Sequence, residues 1–404
     1  VIARTREQRD QMGRLAVLIA TAFVDMVGSS IILPLIPFYA ERLHATPVLV
    51  GVVIASYSVA QLVTAPLWGR VSDRHGRRPV ILAGFGASIL AYLVFGVASS
   101  LWMLIASRVI QGAGGGITGV AQAYVADTME PAHRARALGW LSAATSAGVM
   151  VGPVIGSQAT RLGTWGPGVA AACLCLVSLL VAWRLLPESR PAGAPATARR
   201  PVRHELWDVV RHPGRPVSRL VLVYGVGMLA FTALTAVLAL YLERRFGITE
   251  RTIGWYFMYV GALSVVMRLV LLGPIVDRLG EVRAMQLGAM ALIAGLLLYP
   301  AAASVWQLAL VMPLVPVGTA LLFPATTSLI SAFTARERMG TMMGVAQTFA
   351  GLARVAAPLL GTMAFQVLGI ATPFLLAAAI VGVVSLLAWG VRQPPAPRAG
   401  EGPA

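Results

Sequence analysis

The sequence contains no lysine: all 32 of its basic residues are arginine. Charge of either sign is scarce, at 12% of 404 residues, about half the share carried by a soluble domain. There are two cysteines, Cys173 and Cys175. Two positions apart on one apolar run, they point to different helix faces, so neither a disulfide nor a metal site is expected; they read as small apolar filler. The five histidines, His44, His75, His133, His204 and His212, all fall in predicted loops or in a polar linker, which excludes a buried proton relay built on imidazole. No phosphate-binding loop is present, which argues against transport driven by bound ATP, and no zinc spacing or hydrolase elbow is found. No clustered catalytic set exists, so an enzyme is not expected, and neither is a cofactor or a metal.

What is abundant is apolar sequence, at 57% of the chain with a mean hydropathy of +0.77. About 20 apolar residues cross a bilayer. Such runs are predicted over 15–40, 47–69, 79–98, 101–126, 137–159, 166–186, 218–243, 252–275, 283–302, 305–332, 339–366 and 371–391. The chain therefore reads as an all-α membrane protein of twelve helices. The net charge of +16 suggests nucleic acid, but its placement excludes that partner. Twenty-four arginines lie in the tails and in alternate loops, five (Arg42, Arg161, Arg244, Arg245 and Arg251) in the opposite loops, and three within apolar runs. This is the positive-inside pattern, with both termini on the cytoplasmic side. No cleavable leader is expected, because the first apolar run is too long for one and holds Asp25.

Two halves repeat. The loop Gly69–Arg78, GRVSDRHGRR, returns in degenerate form as GPIVDRLGEVR from Gly273 to Arg283. Tyr39-Ala-Glu-Arg-Leu is echoed by Tyr241-Leu-Glu-Arg-Arg, and Pro153 with Gly156 by Pro358 with Gly361. Between the halves, 187–217 is rich in proline and arginine and reads as a linker. Within it, His204 to His212 reads either as a short amphipathic helix on an anionic membrane surface or as unstructured basic chain. The expected organisation is a tail 1–14, a six-helix bundle 15–186, the linker 187–217, a second six-helix bundle 218–391 and a tail 392–404. Two bundles of six with both termini inside is the layout of a transporter with its substrate site near mid-membrane.

The motifs carry a resemblance. Gly69, Asp73, Arg74, Gly76, Arg77 and Arg78 match motif A of the major facilitator superfamily at every specified position. Gly69 permits close helix approach. Asp73 can sit at a helix N-terminus or pair with arginine, and Arg74 can pair with Asp127, so that the cluster latches one side shut. Gly148, Gly152, Pro153 and Gly156 resemble motif C, which marks the antiporter branches, although Ser157 stands where that pattern usually has glycine; ordinary small-residue packing is the other reading. Arg108 and Gln111 resemble motif B. A guanidinium in hydrocarbon faces a cavity or a partner, either tuning a nearby carboxylate or anchoring helix carbonyls. Asp25 with Gly28, Pro34 and Pro37 resembles the first helix of tetracycline-type and multidrug exporters.

Asp25 is the one acidic residue predicted deep in the membrane. Burial raises a carboxyl pKa and a nearby guanidinium lowers it, a competition suited to taking up and releasing a proton near neutral pH. Asp25 is therefore the expected proton-coupling residue with Arg108 as its partner; a fixed ion pair without proton turnover is the alternative. Arg268 and Arg354 are further cations in apolar runs; Arg354, mid-helix, is expected to face the substrate cavity, and Gln111 is a further candidate cavity residue. Arg268 either faces the cavity or supports the degenerate second loop. Tyr224 and Tyr256 are candidate cavity aromatics, with Tyr57, Tyr124, Phe257 and Tyr259. The resemblance implies the major facilitator fold of two bundles with 3+3 inverted repeats, alternating access, and proton-coupled export of amphipathic drugs across a bacterial inner membrane. The alternative is exchange of organic anions, lipids or metabolites on the intramembrane arginines. The expected partners are a small-molecule substrate, protons and the bilayer; two bundles in one chain make a monomer sufficient.

Overall fold

The computed structural model describes residues 6–115, 117–189, 203–335 and 338–391. The start of the expected N-terminal tail, most of the proline-rich part of the linker and the C-terminal tail lie outside the described residues. All regular structure among the described residues is helical.

α1 (Arg6–Ile32) starts inside the expected tail and ends at a tight turn, Leu33–Leu35, that leads into α2 (Ile36–Arg42). Pro34 and Pro37, which lack an N–H, account for the break in what reads as one run. α3 (Pro47–His75) opens on a Thr46 cap whose hydroxyl accepts from Leu49 N at 3.5 Å. α4 (Arg77–Gly96), α5 (Leu101–Gly114), α6 (Ile117–Thr128), α7 (Pro131–Ala159) and α8 (Gly166–Leu185) follow. α9 (Arg203–Arg211) is the helix foreseen as one option in the linker. The second half runs α10 (Pro216–Phe246), α11 (Ile253–Val266), a π-helical turn at Met267–Leu271, α12 (Leu272–Leu279), α13 (Glu281–Leu298), α14 (Val305–Val311), α15 (Leu314–Ala332), α16 (Met339–Val367) and α17 (Thr372–Ala388).

Among the described residues, ten helical stretches are long and apolar enough to cross a membrane. α5 with α6, and the shorter α17, complete the twelve expected runs. The repeat extends to caps. The Ser100 hydroxyl accepts from Met103 N at 3.4 Å, and in the second half the Ser304 hydroxyl accepts from Gln307 N at 3.2 Å.

The chain forms two compact units. The first comprises the described parts of Val1–Ala198 with Ala236–Val265 and Pro358–Leu368. Lipid tails are as apolar as leucine, so close van der Waals contact between small residues holds membrane helices together. In this unit α1 packs on α7 and α8, α4 on α5 and α8, and α3 on α5. A core of Leu15, Leu18, Phe85, Tyr124, Leu141 and Leu186 lies beneath the Gly69–Arg78 loop. The second unit comprises the described parts of Arg199–Thr235, Val266–Ala357 and Gly369–Ala404. Its central contact is α13 on α15, where a Cβ on Gly288 would fall 2.8 Å from the Gly318 carbonyl oxygen.

Candidate functional site

The Gly69–Arg78 loop is a turn between α3 and α4, made at Gly76 with φ +97°, a backbone state that favours glycine. Arg77 is buried, and its guanidinium is the centre of the loop. It donates to Asp73 Oδ1 at 2.7 Å, to Ser72 Oγ at 2.7 Å and to Asp127 Oδ2 at 2.9 Å. The expected pairing of Arg74 with Asp127 is thus corrected: Arg74 is exposed, and Arg77 ties the loop to the end of α6. The reason is register. Arg77 follows Asp73 by four positions, across the Gly76 turn, and shares its inward face. Burial of Arg77 and Asp73 is tolerable because the two charges pair with each other and Arg77 also donates to Ser72 and Asp127.

One member of this cluster is not foreseen from the sequence. Glu188, placed at the start of the linker, accepts from Arg77 N at 2.7 Å and Arg78 N at 3.1 Å. Its carboxylate caps the orphan N–H groups and positive end of α4. The Arg78 guanidinium donates to the Trp183 carbonyl, and Tyr124 donates to the Pro187 carbonyl at 2.9 Å, so the chain leaving α8 is bound to the loop. The only sequence signal was a carboxylate just past the end of an apolar run.

Asp25 lies in the second half of α1 and is partly accessible. One turn on, Gly28 lets α1 approach α4 and α8: a Cβ there would fall 3.2 Å from Tyr92 Cε2 and 3.3 Å from Cys175 Sγ. Cys175, expected as filler, thus lines the same pocket as Tyr92. Gln111 on α5 donates to the Tyr92 hydroxyl at 2.8 Å. Arg108, one turn before Gln111, is 3% exposed and lies over the Phe95 ring at 5.8 Å. Its Nε and Nη2 meet no acceptor, and neither does Gln111 Oε1 meet a donor. The fixed Asp25–Arg108 ion pair, the alternative reading, is not seen: among the described residues neither takes part in an ion pair within 4.0 Å. Both instead lie within coulombic reach of Tyr92. A tyrosine within reach of both charges can respond to each, since its hydroxyl can donate or accept.

The stripe of small residues on α7 explains why α1 is held so closely. A Cβ on Gly148 would lie 2.7 Å from the Phe23 carbonyl oxygen, one on Gly152 2.6 Å from that of Val27, and one on Gly156 2.5 Å from that of Ile31. The stripe thus packs at backbone distance on the segment of α1 that carries Asp25. Ser157, where the resemblance leads one to look for glycine, accepts from Gly254 N at 2.9 Å. A hydroxyl there serves an α11 N–H that has no intrahelical partner.

In the second unit, Tyr224 is buried; its hydroxyl accepts from Gln347 at 3.3 Å and its ring meets Phe323 edge-on at 5.5 Å. Arg354 is half-buried on α16, and Arg268 is exposed within the π-helical turn. Tyr256, on α11 of the first unit, is half-buried with its hydroxyl out of solvent.

Comparison with known proteins places these features. The family model of the Major Facilitator Superfamily matches residues 18–217 and 220–404. The class C tetracycline resistance protein of Escherichia coli is 29% identical over 86% of this chain and 88% of its own. Multidrug resistance protein 2 of Bacillus subtilis (strain 168) is 28% identical over 92% and 94%. Among solved structures, the human organic anion transporter MFSD10 (TETRAN) has the same fold, with a TM-score of 0.70 at 22% identity, covering 94% of this chain and 99% of that one.

Proposed function

The chain belongs to the Major Facilitator Superfamily, and from that premise we propose that it is a proton-coupled exporter of amphipathic small molecules, with Asp25 as the proton-carrying residue. As an integral membrane protein it moves solutes and is not an enzyme. The observation that supports the reading most directly is Asp25 itself. It is a partly accessible carboxyl, free of any ion pair among the described residues, on a helix clasped at backbone distance by Gly148, Gly152 and Gly156. A carboxyl fixed in a salt bridge resists protonation, whereas one without a cation at hand can take up a proton and give it back.

The cycle follows from alternating access. A proton from outside binds Asp25 while the cavity faces out, substrate leaves, and the neutralised carrier turns inward. Inside, substrate binding and proton release compete. An inward membrane potential assists by about 2.3 kcal/mol per charge per 100 mV. Arg108 acts on Asp25 through Tyr92. Its two unmatched donors provide a place for negative charge once Asp25 is ionised, and Gln111 fixes the tyrosine hydroxyl. The Arg77 cluster latches the cytoplasmic side. Tyr224, Tyr256, Arg354 and Arg268 are assigned to the substrate path. The location is a bacterial inner membrane with both termini cytoplasmic, and a monomer suffices.

The test uses proteoliposomes with an imposed pH gradient, recording tetracycline-class drug movement and proton movement together. Coupled flux in the wild type and its loss in Asp25→Asn is the expected result. Coupling that survives Asp25→Asn removes Asp25 from the mechanism. Flux of an organic anion that depends on Arg354, with no drug flux, transfers the chain to the arginine-based alternative.

A further inference from the structure

The end of the first unit opposite the Gly69–Arg78 loop carries charge that the transport cycle above leaves unused. The repeated four-residue pattern Tyr39-Ala40-Glu41-Arg42 and Tyr241-Leu242-Glu243-Arg244 closes α2 and lies near the end of α10. The fold brings the two copies against each other. Arg244 Nη2 reaches Glu41 Oε1 at 3.3 Å, and Arg42 pairs with Glu250 in the turn before α11. Arg42 lies 5.5 Å over the Tyr39 ring and Arg244 5.0 Å over the Phe365 ring. The Glu243 carboxyl lies in hydrogen-bonding reach of Glu41. Glu243 Oε2 is buried and meets no donor.

Those last two facts are incompatible with full ionisation. Two carboxylates in contact repel, and a buried carboxylate oxygen without a donor keeps the whole cost of its lost hydration. One proton between them converts the contact into an O–H···O hydrogen bond, stronger than its neutral counterpart because the acceptor is charged. Of the surrounding charges, Arg244 favours the ionised form of Glu243 but is shared with Glu41, and Glu250 adds repulsion. Arg42 is engaged by Glu250, Arg244 faces Glu41 and the Phe365 ring, and Arg245 turns to Tyr241. Tyr39 donates away from the group, to the Thr164 carbonyl at 2.6 Å.

The same end holds two symmetry-related helix crossings between the repeats. Gly51 on α3 packs on α16, its Cβ position 2.8 Å from the Pro358 carbonyl oxygen. Gly254 on α11 packs on α7, its Cβ position 2.6 Å from Ser157 Oγ. Both glycines lie in the first two turns of their helices.

We propose that Glu41 and Glu243 form a second proton-binding site, whose single shared proton ties the two sequence repeats together at this end of the molecule. Loss of the proton leaves facing carboxylates and parts the repeats; its return closes them. In the export cycle, on whose reading only this last step rests, the site makes outer closure depend on a proton taken from the outer side.

The experiment is a spin-label distance measurement on the full chain in lipid nanodiscs. Labels are placed at Leu49 and Val367, in a background with Cys173→Ser and Cys175→Ala. Both positions are exposed and adjoin the contact of Val48 N with Gln366 Oε1 at 3.1 Å. In the otherwise wild-type protein the distance is expected to be short at acid pH and to lengthen as pH rises. Glu243→Gln, and independently Glu41→Gln, should hold it short at every pH, because the neutral amide replaces the shared proton. Infrared spectra of the unlabelled protein should show a protonated carboxyl band that Glu243→Gln removes. Asp25→Asn should keep the distance response, which separates this site from the export assignment. A distance that ignores pH, or an unchanged response in both glutamine variants, overturns the proposal, as does a response that disappears only with Asp25→Asn.

Discussion

The two copies of the basic loop share a backbone and differ in one charge. Gly76 and Gly280 both take positive φ, +97° and +79°, and both turn one helix into the next. At the following position the first copy has Arg77 and the second has Glu281. Arg77 is buried among Asp73, Ser72 and Asp127, whereas Glu281 faces outward and accepts from the Ser328 hydroxyl. Asp277 and Arg278, the counterparts of Asp73 and Arg74, are exposed and line an open pocket of about 540 Å³ with Arg283 and Gln286. The lesson is that glycine sets the turn, but a cation at the next position decides whether the aspartate is drawn inward. With a glutamate there, nothing pulls Asp277 in, and the copy remains a turn without a lock.

The sharpest way to break this comparison is Arg77→Ala. It strands two carboxylates, one of them buried, and should cost about 3 kcal/mol in unfolding free energy, with flux abolished; thermal unfolding in detergent and proteoliposome transport read both. Glu281→Ala should leave both readings near wild type. If the two substitutions prove equally harmful, the loops are not functionally distinct.

Glycine on the packed and open sides gives a second contrast. Gly152→Ala places a methyl 2.6 Å from the Val27 carbonyl oxygen and should lower drug flux on the order of tenfold by pushing α1 and Asp25 out of place. Gly273→Ala meets nothing within 4 Å, so flux should stay within about twofold while helix stability rises by up to about 1 kcal/mol. Initial rates of uptake into inverted vesicles distinguish these outcomes.

Smaller effects sharpen the picture. Glu188→Ala removes the cap of α4 and should cost about 1 kcal/mol, seen as a lower unfolding temperature with coupling intact. Glu281→Arg restores the missing cation beside Asp277 at i,i+4 and should add only about 0.3 kcal/mol, since no carboxylate equivalent to Asp127 is present: the matching positions of α15 hold Ser331 and Ala332. A gain as large as the loss in Arg77→Ala would show that one charge makes the lock.

Much of this was legible in the residues. Apolar run length and arginine placement set the number of spans, because the bilayer imposes both. The internal repeat announced two related halves, and the loop motif named its own members. The pairings were not legible. Arg74 and Arg77 are equal candidates for Asp127 until the turn at Gly76 fixes which one faces inward. Asp25 and Arg108 are the obvious couple on charge alone, yet they form no ion pair within 4.0 Å and both instead lie within coulombic reach of Tyr92, which packs beside Gly28.

Long-range encounters were further still from view. Glu188 reaches the loop only because α8 ends beside it, and Glu243 meets Glu41 only because the end of α10 packs on the opposite repeat. Composition and local pattern act over one helix at a time, so the sequence by itself determined the membrane class, the span count, the repeat and the list of charged residues worth watching. Which of those charges touch is a property of side-chain direction and helix contact. Both depend on close helix approach at Gly28, Gly148, Gly152 and Gly156, which exists only once the helices are packed.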